Sequence, residues 1–323
     1  MAIRWATLER AGGEVVRGES ALPDPDPDAV WQWIDISGPI TPDVRVYLET
    51  RLGIPSLAID DAAHARHPPK IEWLGELFFI LVREVDVPDD DGDRAFIQLS
   101  LFVGERVLVT VHRFPSVAVN QVFDSLGDTT QGASPATTQE LAYRVCRRVV
   151  DIYSPIVLSH EEELGDIEDA LFDSHDDAPI EGLTRLNRRL RRLRRTLAYQ
   201  AGVFAELRTH HETHRVRFNR HQVHDLFENM DRLATLCQLN QELAVDLLNS
   251  HLSIVSHRLN IVMRVLTVAT IVFLPLGLMA GIYGMNFEHM PELSWRYAYF
   301  TLLGLMASTA TGLIIYFRRK RWL

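Results

Sequence analysis

Between Val265 and Phe287 the chain carries no charged side chain. At about 1.5 Å rise per residue, some twenty such residues cross the roughly 30 Å hydrocarbon core of a bilayer. A second uncharged stretch, Tyr297 to Phe317, follows after a short loop. The C-terminal part of the chain therefore reads as a two-helix membrane hairpin.

The first stretch holds a second pattern. Asn260, Met263, Thr267, Thr270, Leu274, Gly277 and Gly281 fall at alternating spacings of three and four, with Leu266 beside them. That spacing places them on one helix face. The stripe mixes small and polar residues, while the other faces are Val, Ile, Leu and Phe. Polar groups in lipid are costly and tend to face protein or water. Two uses satisfy this: a close helix–helix contact through small residues, or the wall of a pore.

At the outer end of this span stands Tyr283-Gly284-Met285-Asn286-Phe287, followed by Met290-Pro291-Glu292-Leu293 and Trp295. This resembles the CorA family of magnesium and cobalt channels, whose signature is a Gly-Met-Asn triplet closing the first of two C-terminal spans. The approach Val262 to Thr267 and the tail Arg318-Arg319-Lys320-Arg321-Trp322-Leu323 are similar to that family too. The resemblance is dense over the hairpin and looser upstream. It implies that Gly284, Met285 and Asn286 form a selectivity filter and that the stripe lines an axial pore.

Upstream the sequence is of another kind. Its 323 residues suggest about two domains. A formal net charge of −10 argues against a nucleic-acid partner, which needs a basic face. Cys146 and Cys237 both sit in helical sequence, so no disulfide framework is expected. Met1 to Arg10 has no long apolar core and does not read as a cleavable signal peptide.

Residues 1–137 read as a cytoplasmic α+β domain. Trp31 to Ile36 alternates like a strand, after the irregular Pro23-Asp24-Pro25-Asp26-Pro27-Asp28. Pro42 to Leu52 predicts a helix ended by Gly53. Ile71 to Val87 and Ala95 to His112 predict strand pairs turning near Gly75 and Gly104. Val117 to Leu126 predicts a short helix, and Gly127 to Thr138 a polar linker. Residues 138–257 read as long helices: Gln139 to Phe172, Glu181 to Arg208, and a third from near Arg217 with no Pro or Gly before Pro275. At 1.5 Å rise that third helix would be roughly 90 Å long, a stalk continuous with the first span. Residues 258–323 form the hairpin and its basic tail.

Arg318 to Arg321 follow the second span, and Arg258 and Arg264 flank the start of the first. The positive-inside rule then puts both termini in the cytoplasm and the Gly-Met-Asn end outside, in a plasma (inner) membrane. The acids Glu161, Glu162, Glu163, Asp166, Glu168, Asp169, Asp173, Asp176 and Asp177 precede six arginines between Arg188 and Arg195. The acids are either a solvated face or a cation concentrator. The arginines are expected to pair with them or with lipid phosphates.

His210, His211, Glu212 and His214, with His221 and His224, either bind a soft divalent ion or form a wet inter-helix turn; the H-E-x-x-H spacing is absent. No phosphate-binding glycine loop or nucleophile elbow occurs, and nothing argues for an enzyme. Asp60 and Asp61 read as a helix N-terminal pair favoured by the dipole. The resemblance implies more: an acidic pair meeting a stalk aspartate of the neighbouring protomer to bind regulatory Mg2+. Asp225 matches that position, with Asp151 as the alternative. Without metal these carboxylates are expected to repel one another.

Together the resemblance implies a funnel-shaped homopentamer in the lipid bilayer, conducting Mg2+ and Co2+ inward and gated by cytosolic Mg2+. Ni2+ and Zn2+ remain open as substrates. The alternatives are a ZntB-like zinc transporter of the same architecture and a cytosolic scaffold tethered by its hairpin.

Overall fold

The computed structural model describes residues 2–11, 13–64, 67–88, 94–126, 135–173, 178–210, 216–285, 295–320 and 322. These form two compact units, Met1–Val245 and Asp246–Leu323.

The first unit is built on seven strands: β1 (Ala2–Leu8), β2 (Val15–Glu19), β3 (Trp31–Ser37), β4 (Lys70–Leu74), β5 (Leu77–Pro88), β6 (Arg94–Val103) and β7 (Val107–His112). Their order in the sheet is β2-β1-β3-β7-β6-β5-β4. Among the described strands only the β3–β7 pair is parallel. Gly75, at φ +68°, makes the β4–β5 turn that side chains with a Cβ disfavour. The expected strands and turns are therefore present. β1 and β2, which the sequence reading does not mark, complete one edge.

Alternation along the strands sorts the residues to two faces. Ile34, Ile36, Phe79, Leu81, Phe102, Val109 and Val111 pack with Val44 and Leu48 of α1 (Pro42–Thr50) and with Ile59 of α2 (Ser56–Ala63). On the other face Trp33 meets Phe123 of α3 (Val117–Ser125) edge-on at 5.3 Å. There α4 (Thr138–Asp173) buries Tyr153, whose hydroxyl donates to the Arg83 carbonyl at 2.8 Å. Both faces of the sheet are thus covered by helices.

At the parallel pair the register sets Asp35 beside Thr110 and Ser37 beside His112. Trp33 Nε1 donates to Thr110 Oγ1 at 3.0 Å, and that hydroxyl donates to Asp35 Oδ1 at 2.5 Å. His112 Nε2 lies 3.0 Å from the same carboxylate oxygen, and Nδ1 lies 2.6 Å from the Phe114 carbonyl. Both partners are acceptors when Asp35 is ionised, so the geometry favours protons on both ring nitrogens, the imidazolium form of His112. Arg4 Nε completes the set, 2.7 Å from Asp35 Oδ2. Burial opposes both charges. The His112 hydrogen bond and charge, with Arg4 and Thr110, nonetheless hold the Asp35 carboxyl below its usual range. The Asp35 hydrogen bond and charge hold His112 above its usual range.

α5 (Ala178–His210) buries Leu183, Leu186, Leu190, Leu193 and Leu197 along one stripe. Its Gln200 accepts the Arg83 amide at 2.9 Å, tying the helix to β5. α6 (Arg220–Tyr283) runs 64 residues, through Pro275, and α7 (Ala298–Arg319) runs 22. Cys146 and Cys237 are buried and unbridged, as expected.

Candidate functional site

Both α6 and α7 contain windows long and apolar enough to cross a membrane. Only 11 % and 6 % of those windows is buried, which separates them from the core helices of a soluble protein. In the second unit the two helices meet through Val268, Val272 and Leu276 of α6 and Ala310, Leu313 and Phe317 of α7.

The stripe lies elsewhere. At 3.6 residues per turn, its centre is roughly 170° around α6 from the Val268–Val272–Leu276 face. Asn260, Met263, Leu266, Thr270, Leu274, Gly277 and Gly281 are exposed, and Thr267 is half-exposed. A Cβ built on Gly277 or Gly281 would meet no atom of the described residues within 4 Å. So within one chain the small residues do not serve the helix hairpin. Thr267 Oγ1 donates to the Met263 carbonyl at 2.7 Å and Thr270 Oγ1 to the Leu266 carbonyl at 2.9 Å. Each hydroxyl proton is committed to its own helix, leaving the oxygen lone pairs as acceptors.

Where α6 ends, the Gly284 amide donates to the carbonyls of Ala280 and Gly281, at 3.0 and 3.2 Å. The Met285 amide reaches the Ile282 carbonyl at 3.3 Å. Met285 is exposed. Asn286 lies outside the described residues.

The four expected regulatory carboxylates fall into separate sets within one chain. Asp60 pairs with Arg45. Asp61 Oδ2 lies 2.5 Å from Lys70 Nζ, and its Oδ1 lies 3.5 Å from His67 Nε2. Asp225 Oδ2 accepts from Arg147 Nη1 at 2.5 Å and from the Tyr143 hydroxyl at 3.1 Å, and its Oδ1 accepts from Asn229 at 2.9 Å. Asp151 Oδ1 takes Arg147 Nε at 3.0 Å, so Asp151 and Asp225 share one guanidinium. Among the described residues, no three His, Cys, Asp or Glu side chains gather as a metal cage.

Two expectations change here. Asp60 and Asp61 sit in the second half of α2, not at its N-terminus, so the helix dipole works against them. Arg45 and Lys70 provide the compensation instead. Nor do these acids stand as bare charges, because every one already holds a cation of its own chain. Lys70 is held above its usual range by Asp61 and Glu72, against the opposing effect of burial. Burial likewise works against the Arg147 charge, but Asp225 and Asp151 raise it on balance.

The sequence reading missed Arg45, Lys70, Arg147, Tyr143 and Asn229. Two had a local signal: Asn229 is four residues after Asp225, and Arg147 four before Asp151, spacings that meet on a helix. The other pairings come from the tertiary fold. Of the histidines, His224 pairs with Glu228 at 3.1 Å, while His211, Glu212 and His214 lie outside the described residues.

Comparison with known proteins agrees with this layout. Residues 28–319 match the profile of the CorA-like Mg2+ transporter protein family. The chain is 28 % identical over 300 residues to a putative metal ion transporter, YfjQ, of Bacillus subtilis, covering 92 % of this chain and 91 % of the relative. It is 26 % identical over 313 residues to the cobalt/magnesium transport protein CorA of Thermotoga maritima, covering 94 % and 87 %. The solved structure of the CorA magnesium transporter from Methanocaldococcus jannaschii superposes with a TM-score of 0.82 at 20 % identity, covering 100 % of this chain and 99 % of that one. An exposed small-residue stripe on a helix fit to span a membrane, the α+β unit and the family match together place this chain in the CorA-like family of divalent-cation transporters.

Proposed function

We propose that the chain is a passive uptake channel for Mg2+, and also for Co2+, assembled as a homopentamer in the plasma membrane with both termini cytoplasmic. The observation that carries this reading is the position of the stripe opposite the α7 contact. In five copies around an axis, Asn260, Met263, Leu266, Thr267, Thr270, Leu274, Gly277 and Gly281 line the pore. The basic Arg318 and Arg319 in the last turn of α7, with Lys320 just after it, support the orientation. The membrane potential supplies about 2.3 kcal/mol per charge per 100 mV, and a divalent ion feels twice that. A tethered scaffold needs neither the stripe nor a charge-free outer segment.

Gly284, Met285 and Asn286 form the outer filter of this reading. Mg2+ sheds its waters reluctantly, so a ring of neutral amide carbonyls from Asn286 holds the hydrated ion without trapping it. Flux into liposomes carrying the purified protein tests this. Asn286→Ala is expected to lose Mg2+ flux while still assembling; wild-type flux in that variant would reduce Asn286 to a helix-end residue. Because a relative is the zinc transport protein ZntB of an Enterobacter, 21 % identical over 290 residues, Zn2+ belongs in the same assay beside Co2+ and Ni2+. A Zn2+ preference would replace the magnesium reading.

We assign cytosolic gating to Asp60, Asp61 and Asp225 between protomers, with Asp151 as the alternative to Asp225. Their oxygen donors suit Mg2+, but Arg45, Lys70 and Arg147 already neutralise them. Metal binding there is therefore an exchange of cations, and the site is weak. Asp61→Asn with Asp225→Asn should leave flux that no longer falls as internal Mg2+ rises. Unchanged inhibition would remove these residues from the sensor.

A further inference from the structure

Six arginines crowd eight positions of α5, from Arg188 to Arg195, around the buried Leu190 and Leu193. Among the described residues, acidic partners are seen for few of them. Arg189 pairs with Glu163 of α4. Arg194 Nη1 donates to the neutral amide of Gln241 on α6 at 2.7 Å. Arg188, Arg191 and Arg195 have no hydrogen-bond or ion-pair partner among the described residues.

These three lie at spacings of three, four and seven on one helix face. Like charges so placed repel, and the described residues that line the groove with them include no anion. They line a groove of ≈ 770 Å³, closed on the other side by Gln241 and extended by the half-exposed Tyr199. Guanidinium is the side chain best shaped to grip phosphoryl oxygens in pairs, and it is more weakly hydrated than ammonium. An exposed aromatic ring at the groove's end adds a face for stacking or for an apolar stem.

We propose that this groove binds a ligand carrying clustered phosphoryl groups, gripped by Arg188, Arg191 and Arg195. The chemistry is shared by soluble oligophosphates and by phospholipid headgroups, and the assay separates them. Isothermal titration of the full-length protein in detergent, with EDTA present, uses inorganic tripolyphosphate as the probe. In parallel, mass spectrometry counts the anionic phospholipid that stays bound after purification from vesicles of phosphatidylcholine and phosphatidylglycerol.

For a soluble ligand, tripolyphosphate binds and its affinity falls about tenfold for each arginine changed to glutamine, a charge-assisted hydrogen bond apiece. Affinity should also fall steeply with added salt. For a lipid ligand, tripolyphosphate binding is negligible and Arg188→Gln/Arg191→Gln/Arg195→Gln retains less phosphatidylglycerol. Arg232→Gln, on the surface of α6 outside the groove, should change neither. The single variant Arg191→Lys keeps the charge but loses the fork, and it should bind at an intermediate level even if the triple variant folds poorly. Equal tripolyphosphate binding and equal lipid retention in wild type and variants would overturn the proposal, leaving the arginines to acidic residues of another copy.

Discussion

In the first unit Asp35, His112, Arg4 and Thr110 satisfy one another inside a single chain, under a sheet covered on both faces. In the second unit Leu266, Phe273, Leu274 and Leu278 are 59–70 % exposed, and Gly277, Gly281, Gly304 and Gly312 face empty space. The first therefore holds its fold by its own burial and pairing. The second is complete only with lipid on some faces and, by our reading, further copies on another. Long-range polar order is worth having where water is excluded by the chain itself. Where lipid surrounds a helix, the chain keeps its polarity local, as in the back-bonded Thr267 and Thr270.

The contrast can be broken most sharply at Gly281. None of the described residues lies near its absent side chain, so Gly281→Leu should leave helix content and melting of the purified protein unchanged while flux falls to background. A large loss of folded protein instead would mean the glycine serves the chain and not the assembly.

Next is Asp35→Ala, which leaves the His112 and Arg4 charges unpaired under burial. It should destabilise the first unit by about 3–5 kcal/mol in urea unfolding, the usual cost of half a buried ion pair. The sign of the pH dependence follows from the directions given above. His112 is raised when folded, so its contribution is whole below the unfolded value of about 6.5 and is lost as pH rises through the raised one. Asp35 is lowered when folded, so its contribution is whole above about 3.9 and is lost as pH falls through the depressed one. Wild-type stability should therefore fall on the alkaline side, and Asp35→Ala should flatten that limb.

The smallest effect belongs to the hairpin contact. Val268→Ala removes packing against α7, but lipid chains are as apolar as the lost partner. A change below about 1 kcal/mol is expected, read by unfolding in mixed detergent micelles. A cost like that of a soluble core would mean the hairpin is held as the first unit is.

The same contrast explains what could be read from the sequence. Helical periods and charge-free lengths are local, so α4 to α7, the spans and the stripe were legible. So were β3 to β7, where alternation and glycine turns are strong. β1 and β2 were not, because β2 is short and exposed and their pairing uses Gly18 beneath the Trp5 ring. Asp35 and His112 are 77 positions apart and meet only through the parallel β3–β7 register. The cations on Asp60 and Asp61 were hidden for the same reason. Nor does periodicity say which face of α6 meets α7; that took the position of Phe317.

The two threonine hydroxyls of α6 carry one more consequence. With their protons turned inward and no ionisable group at the stripe positions from Thr267 to Gly281, this part of the stripe offers cations oxygen lone pairs and offers anions nothing to hold. On the pore reading proposed above, a preference for positive charge here is built from dipoles alone, and a dipole has no proton to lose. Conduction along this wall should be indifferent to acidity, and any response of transport to pH has its origin outside the stripe.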